Sequence, residues 1–108
     1  MSTVKVEAFM KDDAEKAPLA ILFDTAQALY GAAHVMAYGA KKYNRKNWDK
    51  MDDPERYVSA AMRHMAAYCQ GCHVDVESGL DHLDHAIASL MFLSELEKRR
   101  RNAIGSRD

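Results

Sequence analysis

Residues 75–85, Asp75-Val76-Glu77-Ser78-Gly79-Leu80-Asp81-His82-Leu83-Asp84-His85, hold four carboxylates and two imidazoles. Carboxylate oxygens suit hard cations such as Mg²⁺ or Mn²⁺, and imidazoles admit Mn²⁺, Zn²⁺ or Fe. Asp75, Glu77, Asp81 and Asp84 are therefore candidate metal ligands. Ser78 and Asp81 have capping-box spacing, so a helix is expected to open at Ser78. On that helix His82 and His85 lie about 60° apart, with Asp81 about 40° beyond His85. The three share one surface beside a helix N-terminus, where anions are favoured. Asp75 and Glu77 can fold over it from the preceding loop. The plain alternative is a charged helix start whose acids serve as caps.

Two further stretches can join this surface. Arg63-His64 lies in a second helical segment, with His64 on the flank of the apolar stripe. Alone, such a histidine is more often a hydrogen-bonded packing residue; beside His82 and His85 it can share a site. In "YGAKKYNRKNW", residues 38–48, the cations Lys41, Lys42, Arg45 and Lys46 alternate with Tyr38, Tyr43 and Trp48. Cations neutralise phosphate, aromatic rings stack on a base, and Asn47 can read a base edge or sugar hydroxyl. The competing reading is a solvated basic helix end with Trp48 folded back on the core. Cys69-Gln70-Gly71-Cys72-His73 fits the covalent haem pattern. Gly71, however, stands where a helix starting near residue 54 needs its terminal glycine. The favoured reading is Cys69 on a helix facing the core and Cys72 starting a loop, with a two-cysteine zinc site less favoured.

The elements that must position these groups read as helices. Pro18 opens a segment in which Leu22, Ala26, Leu29, Ala33, Met36, Ala40 and Tyr43 form one apolar stripe. Asp53-Pro54 is an N-cap followed by proline at the first helical position. Val58, Ala61, Met62, Met65 and Cys69 are the expected buried face of that second helix. Leu83, Ile87, Leu90 and Met91 are expected to face the core from the third. Lys98 to Arg101 gather where that helix is expected to end. The fold class is all-α: a small bundle of three to four helices, completed by oligomerisation. Residues 1–17 read as a polar arm, 18–101 as a single helical domain, and 102–108 as a flexible tail.

With 108 residues, 48% hydrophobic, 29% charged and a net charge of −1, the chain is a single soluble domain with a modest core. The charge balance argues against duplex nucleic acid as a partner. The N-terminus shows no apolar signal core and the chain no membrane-length apolar run. A cytoplasmic protein with reduced cysteines is expected.

Four stretches carry a resemblance: "KDDAEKAPL" at 11–19, "YGAKKYNRKNW" at 38–48, "RHMAAYCQG" at 63–71 and "DVESGLDHLDHA" at 75–86. In order and spacing the chain resembles a family of small phage dATP/dGTP diphosphohydrolases, the MazZ-like enzymes related to MazG nucleotide pyrophosphohydrolases. The resemblance implies an all-α, homo-oligomeric protein. It implies hydrolysis of a purine deoxynucleoside triphosphate to monophosphate and pyrophosphate with divalent metal ions, Mg²⁺ or Mn²⁺. The positions that match the family pattern are Lys42, Tyr43, Asn47, Trp48, Arg63, His64, Asp75, Glu77, Ser78, Gly79, His82 and His85. On this reading His64, His82 and His85 are catalytic or ligating groups. Lys42 and Arg63 hold phosphate, and Tyr43, Asn47 and Trp48 meet the nucleoside. The acidic E-E-x-x-E helix motif of MazG-type enzymes is absent. A non-catalytic nucleotide-binding or inhibitory protein is the second reading. An HD-type phosphohydrolase is the third, although Asp84-His85 reverses the order of its adjacent pair.

Overall fold

The computed structural model describes residues 18–43, 48–50 and 53–105. The expected arm at 1–17, Asn47 and residues 106–108 lie outside the described residues. Pro18 is followed by a 3-10 stretch, Leu19–Thr25, that runs directly into helix α1, Ala26–Tyr43. Trp48–Lys50 forms one short 3-10 turn. Helix α2 spans Glu55–Cys69 and helix α3 spans His82–Gly105. The class is all-α, as the periodicity indicates, and the described residues include no strand beyond an isolated antiparallel bridge between Val74 and Asp81. No described helix is long and apolar enough to cross a membrane.

Local sequence sets both ends of α2. The Asp53 carboxylate accepts from the Glu55 N–H at 3.1 Å, and Pro54 has a helical φ of −59°. That satisfies an orphan donor of the first turn where a missing proline N–H costs nothing. At the other end Gly71 takes φ 91°, and the N–H groups of Cys72 and Gly71 donate to Ala67 and Tyr68 carbonyls at 2.9 and 3.0 Å. This paired bonding is a Schellman termination, and its left-handed residue favours glycine.

The third helix departs from expectation at both ends. It opens at His82, four residues after Ser78, because the Ser78 hydroxyl is used inside the loop rather than as a cap. It runs on to Gly105, past residue 101, so Lys98 to Arg101 sit within the helix. Arg99 pairs with Glu95 at 2.7 Å and reaches Asp49 at 3.2 Å, while Arg100 pairs with Glu97.

The buried stripes lie only partly on the expected faces: Ala61 is buried and Leu29, Met36, Ala40 and Ile87 are half-buried as expected, while other expected core residues are exposed. The fully buried apolar residues are small: Ala32, Val35, Ala61, Ala86 and Ala88. On α2 the inward row is Tyr57, Ala60, Ala61, His64 and Ala67, while Val58, Met62, Met65 and Cys69 are exposed. On α3 it is His82, Ala86, Ala88 and half-buried Ile87, Phe92 and Leu93; Leu83, Leu90 and Met91 are exposed. Leu22, Ala26 and Ala33 are exposed on the first segment as well. Small residues let helix backbones approach closely, so the helices meet through alanines and leave larger side chains outside. The closest approach puts Gly31 of α1 against the Asp84 carboxylate, with no room for a Cβ.

Trp48 supplies bulk at the other end of the bundle. Its ring stacks on Phe92 of α3 at 4.7 Å between centroids, and Tyr57 lies 5.4 Å from the same Phe92. The Tyr57 hydroxyl donates to the Trp48 carbonyl at 2.8 Å, and burial raises its pKa, helped by Asp49. The Arg99 guanidinium sits 5.1 Å from the indole centroid. An aromatic stack of this kind, with a cation over the ring, contributes about 0.5–1.5 kcal/mol beyond area burial.

Candidate active site

His64, from the middle of α2, meets the first turn of α3. Its Nδ1 lies 2.8 Å from the Nδ1 of His82, and its ring stacks on His85 at 4.3 Å and 11°. The loop between the two helices is held by its own backbone. Asp75 N–H donates to Leu80 and Gly79 N–H to Asp75, while His82 N–H donates to His73, at 2.7 to 2.8 Å. Gly79 takes φ 75°, which permits the tight return. The Asp75 carboxylate is thereby turned toward the imidazoles, 3.7 Å from His85 Nε2. Atoms of His64, Asp75 and His82 able to bind a metal all lie within 4.8 Å of one another.

Ser78 joins the acid to the base. Its hydroxyl donates to Asp75 Oδ2 at 2.9 Å, and its backbone N–H donates to the same oxygen at 3.0 Å. With its one proton committed, Ser78 Oγ accepts from His85 Nε2–H at 2.7 Å and from Leu80 N–H at 3.1 Å. His85 is thus held in the tautomer whose Nδ1 carries a lone pair. On the far side, Cys72 Sγ lies 3.4 Å from His82 Nε2.

Burial and neighbouring charge disfavour the charged forms of His64 and His85. Burial lowers the His64 pKa below its ordinary 6.5, and its neighbours His85 and His82 push it further the same way. Burial lowers His85 as well, partly countered by Asp75. Burial pushes Asp75 up, but the two bonds from Ser78 and the nearby imidazoles outweigh it and leave its pKa low. The two histidines therefore take up protons more readily in the unfolded chain. The stability linked to them is complete above pH 6.5 and is lost as pH falls through their lowered values. With chelator present, the thermal midpoint is expected to drop between about pH 7 and about pH 5; a flat midpoint over that window contradicts this assignment.

The expected ligand carboxylates do not converge. Asp81 lies before α3, exposed in the bridge with Val74, so the angle drawn for a helix starting at Ser78 does not apply. Asp84 turns to Gly31 of α1, and burial, with Asp81 nearby, raises its pKa. Glu77 is exposed and pairs with Lys42 Nζ at 2.7 Å, which lowers its pKa. The Tyr38 hydroxyl lies 3.5 Å from the same Glu77 oxygen. A hard Mg²⁺ site built of several carboxylates thus finds one of them, Asp75, beside three imidazoles. That donor set fits an imidazole-accepting ion such as Mn²⁺ better than Mg²⁺.

Part of this cluster lines one wall of an open cleft of about 1320 Å³ between the three helices, while His82 lies buried behind it. Lys42, Arg56, Arg63, His64, Asp75, Glu77, His85 and Trp48 all border it. Arg63 also borders a smaller 260 Å³ recess with Asp53, Glu55, Arg56 and Ser59. Of the remaining candidates, Asn47 and the Tyr43 side chain lie outside the described residues. Of the residues at the site, sequence reasoning gave Arg56 no role; it named Ser78 as a helix cap and a position of the family pattern, Tyr38 as a ring beside the basic stretch, and Cys72 as the start of a loop. The three-residue step from Asp75 to Ser78, typical of side-chain-bonded turns, is a signal for the bond between them.

The fold and site define an all-helical domain with a histidine-rich, carboxylate-anchored cluster opening on a polar cleft. A family model described as dATP/dGTP diphosphohydrolase, N-terminal, matches residues 7–106, and the chain belongs to that family. It is 35% identical over 91 residues to a dATP/dGTP diphosphohydrolase of Salmonella phage PMBT28, covering 84% of this chain. The chain spans about 30% of that relative's length. No solved structure matches.

Proposed function

We propose that this domain hydrolyses a purine deoxynucleoside triphosphate, dGTP or dATP, to the monophosphate and pyrophosphate, in phage nucleotide-pool metabolism within the host cytoplasm. The observation that carries this reading is the convergence of His64, His82, His85 and Asp75 beside a cleft bordered by Lys42 and Arg63. The names of the family and of the Salmonella phage relative point to the same substrate class.

In this reading the phosphates lie along Lys42, Arg56 and Arg63. Lys42 is shared with Glu77, so a phosphate oxygen competes only with an exposed, solvent-screened pair. His85 Nδ1, oriented through Ser78 and Asp75, accepts the proton of an attacking water, a role neutral imidazole fills near neutral pH. A divalent ion, Mg²⁺ or Mn²⁺ by the family pattern, supplies acidification of that water when bound. Tyr43 and Asn47 are the candidates for the base and sugar, since Trp48 is committed to Phe92.

The test is incubation of the purified chain with each dNTP and NTP, with and without Mg²⁺ or Mn²⁺, followed by product separation. Monophosphate and pyrophosphate from dGTP or dATP, lost on chelation, is the expected result. Saturable nucleotide binding without product would favour the second reading, a non-catalytic nucleotide-binding or inhibitory protein. The absence of E-E-x-x-E and the pairing of Glu77 with Lys42 speak for it. Nothing comparable favours an HD-type site, because Asp84 faces Gly31. The exposed Val58, Met62 and Met65 row on α2 also supports a homo-oligomer; sedimentation that finds only monomer at all concentrations removes that part.

A further inference from the structure

We propose that His64, His82 and Asp75 form a three-ligand site for a divalent transition ion that accepts imidazole, Zn²⁺ or Mn²⁺, in preference to Mg²⁺. Two histidines and one carboxylate are a sufficient protein set for such an ion, with the remaining position left to water or substrate.

Each ligand has a partner that orients it. Cys72 lies 3.5 Å from the Val74 carbonyl, to which its S–H donates, so its sulfur accepts from His82 Nε2–H at 3.4 Å. That bond leaves a lone pair on His82 Nδ1, aimed at His64 Nδ1 2.8 Å away. In the metal-free chain the His64 nitrogen must donate the proton of that contact. Moving this proton to the other ring nitrogen frees a second lone pair without changing net charge. The stacked His85 ring holds the plane of His64, and two hydrogen bonds from Ser78 hold Asp75. Such outer partners are what a metal site requires beyond its ligands.

The geometry is close to what coordination needs. Ligand nitrogens about 2.05 Å from a tetrahedral ion stand about 3.3 Å apart, so the two Nδ1 atoms separate by roughly half an ångström. The Asp75 ligand oxygen starts within 4.8 Å of both. Its negative charge offsets the repulsion between a cation and the N-terminus of α3. Residues His64 and Asp75 border the cleft, so the open position faces it. Only that last placement rests on the hydrolytic reading above; the binding itself does not.

Calorimetric titration of the metal-free chain with Zn²⁺, Mn²⁺ and Mg²⁺, and Co²⁺ titration followed by visible absorbance, test the site. One equivalent of Zn²⁺ is expected, bound at least about 100-fold more tightly than Mg²⁺. His82→Ala and the near-isosteric Asp75→Asn should each weaken Zn²⁺ by about 100-fold or more, with circular dichroism reporting that the helices persist. Cys72→Ser should weaken it by about 10-fold, and the Co²⁺ complex should lack a thiolate charge-transfer band. Zn²⁺ affinity unchanged in Asp75→Asn, or lost only when Cys69 and Cys72 are replaced, would overturn the assignment. So would Mg²⁺ binding as tightly as Zn²⁺. A chain that binds Zn²⁺ at these residues yet turns over no nucleotide sinks the hydrolase reading and leaves this one standing.

Discussion

Replacing His64 with alanine is expected to lower nucleotide turnover by about 10²- to 10⁴-fold while the far-ultraviolet dichroism of the helices is retained. His64 is the member of the cluster that touches both neighbours, meeting His82 at 2.8 Å and stacking on His85 at 4.3 Å. Its loss removes one ligand of the inferred site and frees the His85 ring to leave the orientation set by Ser78. It also leaves Nδ1 of the buried His82 without its partner, at about 1–3 kcal/mol, which thermal unfolding reads separately from rate. Full turnover in the folded variant would mean the chemistry lies elsewhere in the cleft. A loss that exogenous imidazole restores would mark His64 as acting through its ring nitrogen and not through packing.

The second large effect concerns two glycines on one helix and has opposite signs. Gly31→Ala should destabilise the protein by up to about 2 kcal/mol, because the added methyl overlaps the Asp84 carboxylate and forces its whole side chain aside. That figure is the overpacking cost less the roughly 1 kcal/mol that alanine gains over glycine inside a helix. Gly39, two turns on, has nothing within 4 Å of where its Cβ would stand. Gly39→Ala should therefore stabilise by about 0.5–1 kcal/mol, the propensity gain alone. Denaturant unfolding of both variants, and of Gly31→Ala combined with Asp84→Ala, checks the argument. The double variant should recover most of the Gly31→Ala loss; if it does not, the crowding lies with the backbone of α3 and not with Asp84.

The helices themselves were legible because their punctuation is local. Asp53-Pro54 and Gly71 act within four residues of themselves, and the structure places both ends of α2 accordingly. Which face turns inward was only partly legible from apolar periodicity, which finds Ala61, Met36 and Ile87 but not the rest. Close packing through Ala32, Ala61, Ala86 and Ala88 puts small residues inside and leaves Met62 and Leu90 out, against the usual weighting by size. The start of α3 was misread for a related reason. A serine three residues before an acid caps a helix only if its hydroxyl is free, and here Asp75 and His85 claim it. His82 and His85 were recoverable from their three-residue spacing. Their meeting with His64, the turn of Asp84 toward Gly31 and the approach of Cys72 to His82 depend on how α2, the loop and α1 meet α3. No spacing along the chain encodes those contacts.

From His64 to His85 the cluster comes from one uninterrupted stretch: the end of one helix, a loop closed on itself and the start of the next. Contacts of such short range cost little loop-closure entropy, since little chain must be gathered to close them. The wall contributed by α1 belongs to a different order of contact: Lys42 and Tyr38 reach Glu77 from 35 and 39 positions away. The chain thus separates a self-contained hairpin of local contacts from a wall built by long-range ones. Substitutions on α1 can therefore change the Lys42 and Tyr38 side of the cleft without touching the bonds that hold His64, Asp75, Ser78 and His85 together.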